Sequence, residues 1–147
     1  LTPDVNVLVA AFRPDHMHHA TAYEWLSRAR LDCARGTQTL TLVPVVISGF
    51  LRLVTNSRVF VDPDRIDDAV GFVDAILETP GSEIRSSADE WPLLRNKLLD
   101  QRLEGNMITD AWIASAIEAH AEHLVTFDRD FIKLLPQRNL TVLSVGA

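Results

Sequence analysis

The chain has 147 residues, of which 47% are apolar and 23% charged. That length and balance suit one globular domain with a real core, and they exclude a wholly disordered chain, a collagen-like chain and a simple coiled coil. A formal net charge of −6 argues against non-specific coating of DNA, although an enzyme with a local positive rim beside an acidic centre stays open.

Short apolar strands alternate with longer helical patterns, which predicts an α/β fold in a single domain over residues 1–147. Leu1-Thr2-Pro3-Asp4 reads as a strand ending at Asp4, with a helix starting near Asn6 and a turn at Arg13-Pro14-Asp15. Ala22, Trp25, Leu26 and Ala29 form one apolar stripe of a helix over 18–35, which Gly36 stops. Thr39 to Val43 is β-prone. Pro44 suits the first turn of a largely buried helix that runs on through Val46 to Val54. A further helix is expected from Arg65 to Leu77, ended by Thr79-Pro80-Gly81, and Glu83-Ile84-Arg85 is at most a short strand. Ser87 with Glu90 fits a capping box for a helix to about Leu103, although Pro92 falls in its early turns. After the Gly105-Asn106 turn, Thr109 is the expected N-cap of a helix with Asp110 in its first turn, continuing to His120. Leu124 to Thr126 reads as a buried strand, Asp128 to Leu134 as a loop and helical turn, and Leu140 to Leu143 as the last strand.

This order brings acids together. Asp4 ends one strand and Asp128 follows another, and the carboxyl ends of parallel strands share the edge that carries the ligand crevice. Asp110, at the start of the helix feeding the 124–126 strand, can reach the same edge. Three carboxylates so close would raise one another's pKa, and a divalent cation such as Mg²⁺, held by a few carboxylates with retained waters, is the simple compensation. Such a cation can activate water for phosphodiester cleavage. The structural alternative makes Asp110 a helix-dipole acid and Asp128 a cap for the turn after it.

Four strings carry a resemblance: Asp4-Val5-Asn6-Val7-Leu8-Val9, Gly49-Phe50-Leu51-Arg52-Leu53-Val54-Thr55-Asn56, Asn106-Met107-Ile108-Thr109-Asp110-Ala111-Trp112-Ile113-Ala114, and Leu124-Val125-Thr126-Phe127-Asp128-Arg129-Asp130-Phe131. In this order and spacing the chain resembles PIN-domain toxins of the VapC type over nearly its whole length. The resemblance implies a three-layer α/β/α sandwich around a short, mostly parallel sheet. It implies an endoribonuclease dependent on Mg²⁺ or Mn²⁺, acting as the toxin of a toxin–antitoxin pair, held in check by a VapB-type antitoxin. It assigns the metal and the catalysis to Asp4, Asp110 and Asp128. One position departs from the family: where most members carry a Glu in the helix after the second strand, this chain has Gly49. A fourth acid is therefore missing, and weaker metal binding is expected.

Three further residues surround these acids. Arg52 in an otherwise apolar helix calls for a partner, either RNA phosphate, the acid cluster or a structural acid. Asn6 suits a metal-bound water or a helix cap, and Asn106 suits the same work beside Asp110 or a simple turn. Asp130 reads as a turn residue. His16, His18, His19, His120 and His123 read as loop and helix-end residues, because a zinc shell lacks support from cysteine. The lone Cys33 excludes an intrachain disulfide and reads as apolar filler. The six glycines form neither a P-loop nor a dinucleotide fingerprint.

Charge is uneven along the chain: residues 1–58 carry +2 and residues 59–147 carry −8, with twelve Arg and two Lys in all. No long apolar run and no signal-like start is visible, so a cytoplasmic protein without a membrane segment is expected; the start at Leu1 rather than Met implies a missing initiator residue. A homodimer is also expected. Two other functions compete with the nuclease. One is a PIN-like protein of decayed chemistry acting by protein binding, for which Gly49 speaks. The other is an Mg²⁺-binding signalling module, which would want a Lys at a strand end, whereas Lys97 and Lys133 are poorly placed.

Overall fold

The computed structural model describes residues 1–144. Its elements, in order, are β1 (Thr2–Pro3), α1 (Val5–Phe12), α2 (His19–Ala34), β2 (Leu40–Leu42), α3 (Pro44–Val54), α4 (Ile66–Leu77), β3 (Ser82–Ile84), α5 (Glu90–Gln101), α6 (Met107–Ala119), β4 (Leu124–Thr126) and β5 (Leu140–Val142). Two 3₁₀ turns, Arg129–Lys133 and Gln137–Asn139, link the last two strands.

Every strand pairing is parallel: β1 with β4, β4 with β5, and β2 with β3. The Thr41 N–H donates to the Leu1 carbonyl at 2.8 Å and joins the two ladders edge to edge. The strand order is therefore β3-β2-β1-β4-β5. The chain moves one way through β1, β2 and β3 and then jumps across to β4. By the right-handed rule for parallel crossovers, this strand order assigns α5 and α6 to the face opposite α1–α4. The order reverses between β1 and β4, and in a doubly wound sheet the ligand crevice lies at that switch point.

The strands are short and buried throughout in β1, β2 and β4. Parallel strands covered on both faces bury every residue, so β2 and β4 bury Thr41 and Thr126 along with their Leu and Val residues, each hydroxyl satisfied by a carboxylate, Glu122 and Asp4 respectively. The core gathers Val7 and Leu8 of α1, Val46 and Phe50 of α3, Ile113 and Ile117 of α6, and Leu124 of β4. Phe12, Phe50 and Phe72 tie α1, α3 and α4 together with ring centroids 4.9–5.5 Å apart. Buried Arg13, just past α1, donates to the Asp15 and Asp64 carboxylates and to the Asp62 carbonyl and lies 3.9 Å over the Phe60 ring. It thereby fixes the 56–65 loop under the core.

Most boundaries follow the sequence expectation within two residues. Gly36 does follow α2 with a φ of +74°, the left-handed conformation that a residue with a side chain resists. Only half of the expected capping box forms: Glu90 accepts the Ser87 N–H at 3.0 Å, but the Ser87 hydroxyl accepts the Asp89 N–H at 3.1 Å, Asp89 holds the cap position, and Pro92 sits within the first turn of α5. One expectation fails: α6 begins at Met107, so Thr109 lies inside the helix and Asn106 occupies the cap position, with no side-chain cap bond.

Candidate active site

One open cavity of about 380 Å³ lies at the switch point, lined among others by Asp4, Asn6, Gly49, Arg52, Asn106, Asp110 and Asp128. Local folding explains each acid's place. Asp4 is the N-cap of α1; its Oδ1 accepts the Val5 N–H at 2.7 Å while its Oδ2 accepts the Thr126 hydroxyl at 2.6 Å. Asp128 caps the following 3₁₀ turn, its Oδ1 accepting the Asp130 N–H at 2.8 Å. It keeps Oδ2 uncommitted among the described residues, so the cap and the cluster coexist rather than compete. Asp110 stands in the first turn of α6 and receives no hydrogen bond among the described residues.

The electrostatics fit that crowding. Asp4 is 4% exposed. Burial pushes its carboxyl up to about 6, against the opposing bonds from Thr126 and Val5, and the charge of Asp128 adds to the rise. The Asp110 carboxyl also rises to about 6, through burial first and then through the charges of Asp4, Asp128 and Asp130. Neither acid pairs with a Lys or Arg among the described residues. Two carboxyls held this far above the usual range at a strand-end crevice mark a site that stores negative charge for a ligand.

The neighbours have more specific duties than their sequence suggested. Thr126, not singled out in the sequence, is the hub: its hydroxyl donates to Asp4 while its oxygen accepts the Asp128 N–H at 2.9 Å and the Asn6 amide at 3.2 Å. Its place as the last residue of β4, two before Asp128, was the available signal. Asn6 lies inside α1 and does not cap it. Its Oδ1 takes the Phe127 N–H at 3.2 Å, so the amide braces the Asp128 loop from across the sheet. Arg52 forms no ion pair among the described residues and is exposed, so its charge is solvated; of the three partners open to it, neither the acid cluster nor a structural acid pairs with it there. Asn106 is exposed on the cavity rim.

Gly49 does line the cavity. A Cβ on it would meet Val5 Cγ2 at 2.8 Å, closer than real side chains pack. The glycine is therefore where α3 passes over the first residue of α1. His16 stands in the loop between α1 and α2, as expected, and from there also lines the cavity. Burial, then the nearby charge of His18, depress its imidazole pKa.

The donor chemistry suits a hard divalent cation: carboxylate oxygens, few in number, with room for waters. Among the described residues no three His, Cys, Asp or Glu side chains form a ready-made shell, so water must complete any coordination here. No helix in the described residues is long and apolar enough to cross a membrane.

Comparison with known proteins agrees with this geometry. The PIN domain family model matches residues 1–134. Ribonuclease VapC25 of Mycobacterium tuberculosis (strain ATCC 25618 / H37Rv) is 34% identical over 138 residues, covering 93% of this chain and 94% of that protein. Ribonuclease VapC43 of the same strain is 38% identical over 135 residues, covering 90% and 88%. A solved structure of VapBC2 from Rickettsia felis, bound to a DNA fragment from their promoter, aligns with a TM-score of 0.65 at 23% identity over 96% of each chain, which is agreement in fold. Nucleases of the PIN type work with a divalent metal. With its acids gathered at the β1–β4 switch point and its relatives aligned end to end, this chain is a PIN-domain protein and belongs to the VapC ribonuclease family.

Proposed function

We propose that this chain is an endoribonuclease that works with Mg²⁺, or Mn²⁺ in its place, through Asp4, Asp110 and Asp128, and that it is the toxin of a toxin–antitoxin pair. The observation that supports this most is the meeting of three unpaired carboxylates, more than a hundred residues apart in sequence at the extremes, in one cavity, two of them with pKa values raised to about 6. When bound, the cation would supply a polarised water and positive charge for the developing phosphorane oxygens. Asp4 is set for its part by Val5 and Thr126, and Asp128 by the turn it caps. Asp110 has both oxygens available. Arg52 is free to bind phosphate on the rim, where its planar fork suits two oxygens at once.

The partner we assign is a VapB-type antitoxin, with a Lys or Arg entering the acidic cavity to neutralise it. Residues 1–147 make one PIN domain in this reading, which acts in the cytoplasm as a homodimer. The competing protein-binding reading rests on Gly49, since no fourth acid stands there. Asp4→Asn and Asp110→Asn separate the two. Each should lower RNA cleavage on the order of a hundredfold while the protein stays folded by melting temperature. Full activity in both variants overturns the mechanism.

A further inference from the structure

We infer that His16 is a substrate-binding residue: its Nε2–H donates to a phosphate oxygen of the RNA beside the acid cluster. This rests on the ribonuclease reading above and adds to it a contact outside the acids and Arg52. The carrying observation is the hydrogen bonding of the ring. The His18 backbone N–H donates to His16 Nδ1 at 3.0 Å, so Nδ1 is an acceptor. The neutral imidazole must then carry its proton on Nε2, because each ring nitrogen of a neutral His has one role. No described residue accepts that Nε2–H, and the ring is only partly buried on the wall of the cavity that holds Asp4, Asp110 and Asp128.

The ring is also held in place. The loop that carries it starts at Arg13, which is anchored by Asp15 and Asp64. Its neighbour His18 stacks on Phe127 with centroids 4.8 Å apart and planes 26° from parallel. Phe127 is the residue before Asp128 and is itself held by Asn6. The 13–18 loop and the acid-bearing loop are thus packed together, so a donor on one keeps a fixed relation to carboxylates on the other. A neutral donor suits this place. It adds no charge that would pair with the acids and collapse the cavity, yet it can hydrogen-bond an anionic oxygen, a bond stronger than a neutral one.

Two substitutions divide the ring's two functions. His16→Asn keeps an acceptor near the Nδ1 position for the His18 N–H and removes the distal donor. His16→Gln keeps a distal N–H and gives up the acceptor. The probe is a fluorescein-labelled single-stranded RNA of mixed sequence, titrated by anisotropy without divalent metal so that nothing is cleaved. Cleavage of unlabelled RNA with Mg²⁺ and melting temperatures are measured alongside. Expected are about tenfold weaker binding for His16→Asn and His16→Ala, a loss within about twofold for His16→Gln, and a melting temperature for His16→Asn at the wild-type value. Wild-type binding by His16→Asn overturns the inference, as does His16→Gln binding no better than His16→Ala. If the wild-type protein neither binds nor cleaves RNA, the ribonuclease reading itself falls and takes this contact with it. If the wild type cleaves and the His16 variants bind and cleave RNA as it does, the ribonuclease stands and His16 alone is reassigned.

Discussion

At the scale of single residues, the chain holds its acids at a cost to its own stability, and that cost has a sign. A carboxyl whose folded pKa lies above its unfolded value keeps its proton longer when folded. For Asp4, raised from 3.8 to about 6, the contribution is nil below about pH 4. Between there and pH 6 the folded state holds a proton the unfolded chain has released, so stability falls as pH rises. Above about pH 6 the full penalty is present, on the order of 3 kcal/mol for a group this buried. Asp110 acts in the same direction and window, more weakly because its exposure lets solvent screen it. The unliganded protein should therefore melt higher at pH 5 than at pH 7.5. Asp4→Asn should flatten that dependence even though its amide gives up the bond from Thr126. A divalent cation should act in the opposite pH sense. Its binding stabilises by RT ln(1 + [L]/Kd), about 2.7 kcal/mol at a hundredfold excess over Kd. The rise in melting temperature with Mg²⁺ should thus be full at pH 7.5 and disappear by pH 5, where the carboxyls are protonated. Scanning melting against pH, with and without Mg²⁺, checks both slopes; a Mg²⁺ effect independent of pH contradicts the assignment of these acids.

At the scale of elements, the instructive position is Gly49. The sequence shows there a missing acid, and the structure adds a packing role: α3 crosses α1 where Val5 Cγ2 already occupies the space of a Cβ. Mid-helix glycine costs roughly 1 kcal/mol in propensity, and the contact between the two helices offsets it. Gly49→Ala should destabilise by about 1–2 kcal/mol in denaturant unfolding despite its better propensity, because overpacking against a stiff β-branched neighbour outweighs the gain. Val5→Ala in the same chain should restore most of the loss, and a cycle of the four proteins measures the coupling. Additive effects would show that the two residues do not meet. Gly49→Glu should fare worse still, since it drives into the N-terminal turn of α1 that Asp4 caps. The element pattern itself was legible because strands and helices were signalled by local rules: Leu124–Thr126 by its apolar run, α3 by Pro44, α2 by its stripe and by Gly36. The three acids were legible because strand ends share an edge. Hidden from that reasoning were contacts made across the fold. Asn6 pairs with Phe127 and Thr126 more than a hundred residues away, His16 enters the cavity only because Arg13 and Phe127 hold its loop, and Arg52 looked buried in an apolar string although its helix turns it to solvent. The start of α6 was misplaced for a simpler reason: Asn106 reads as part of a turn with Gly105, yet it has helical dihedrals and the helix runs straight on from it.

At the scale of the whole molecule, the fold leaves apolar surface beside its acidic cavity. Pro44, Ile47, Ser48, Leu51, Ile66 and Ile84 line a second groove that shares Arg52 with the acid site. Ile66 and Ile84 are 52% and 50% exposed, and α3 and α4 meet there. A grouped apolar patch on a chain with a net charge of −6 is more economically explained by a partner surface than by solvent. We assign it to the two-fold contact of the proposed homodimer, in which the same patch serves both copies. An apolar self-contact of this kind also avoids bringing the two acidic cavities face to face, where like charges would oppose association. Sedimentation equilibrium should give twice 16.4 kDa for the isolated chain at micromolar concentration. Ile66→Glu should shift it to the monomer, because it places a charge of the same sign on both sides of the contact. Since Ile66 is half exposed within one chain, that substitution should leave the monomer's secondary structure by circular dichroism unchanged. Cleavage per chain should also survive, because the lining of the acid cavity does not include Ile66. A wild-type chain that sediments as a monomer both alone and with its antitoxin overturns the dimer.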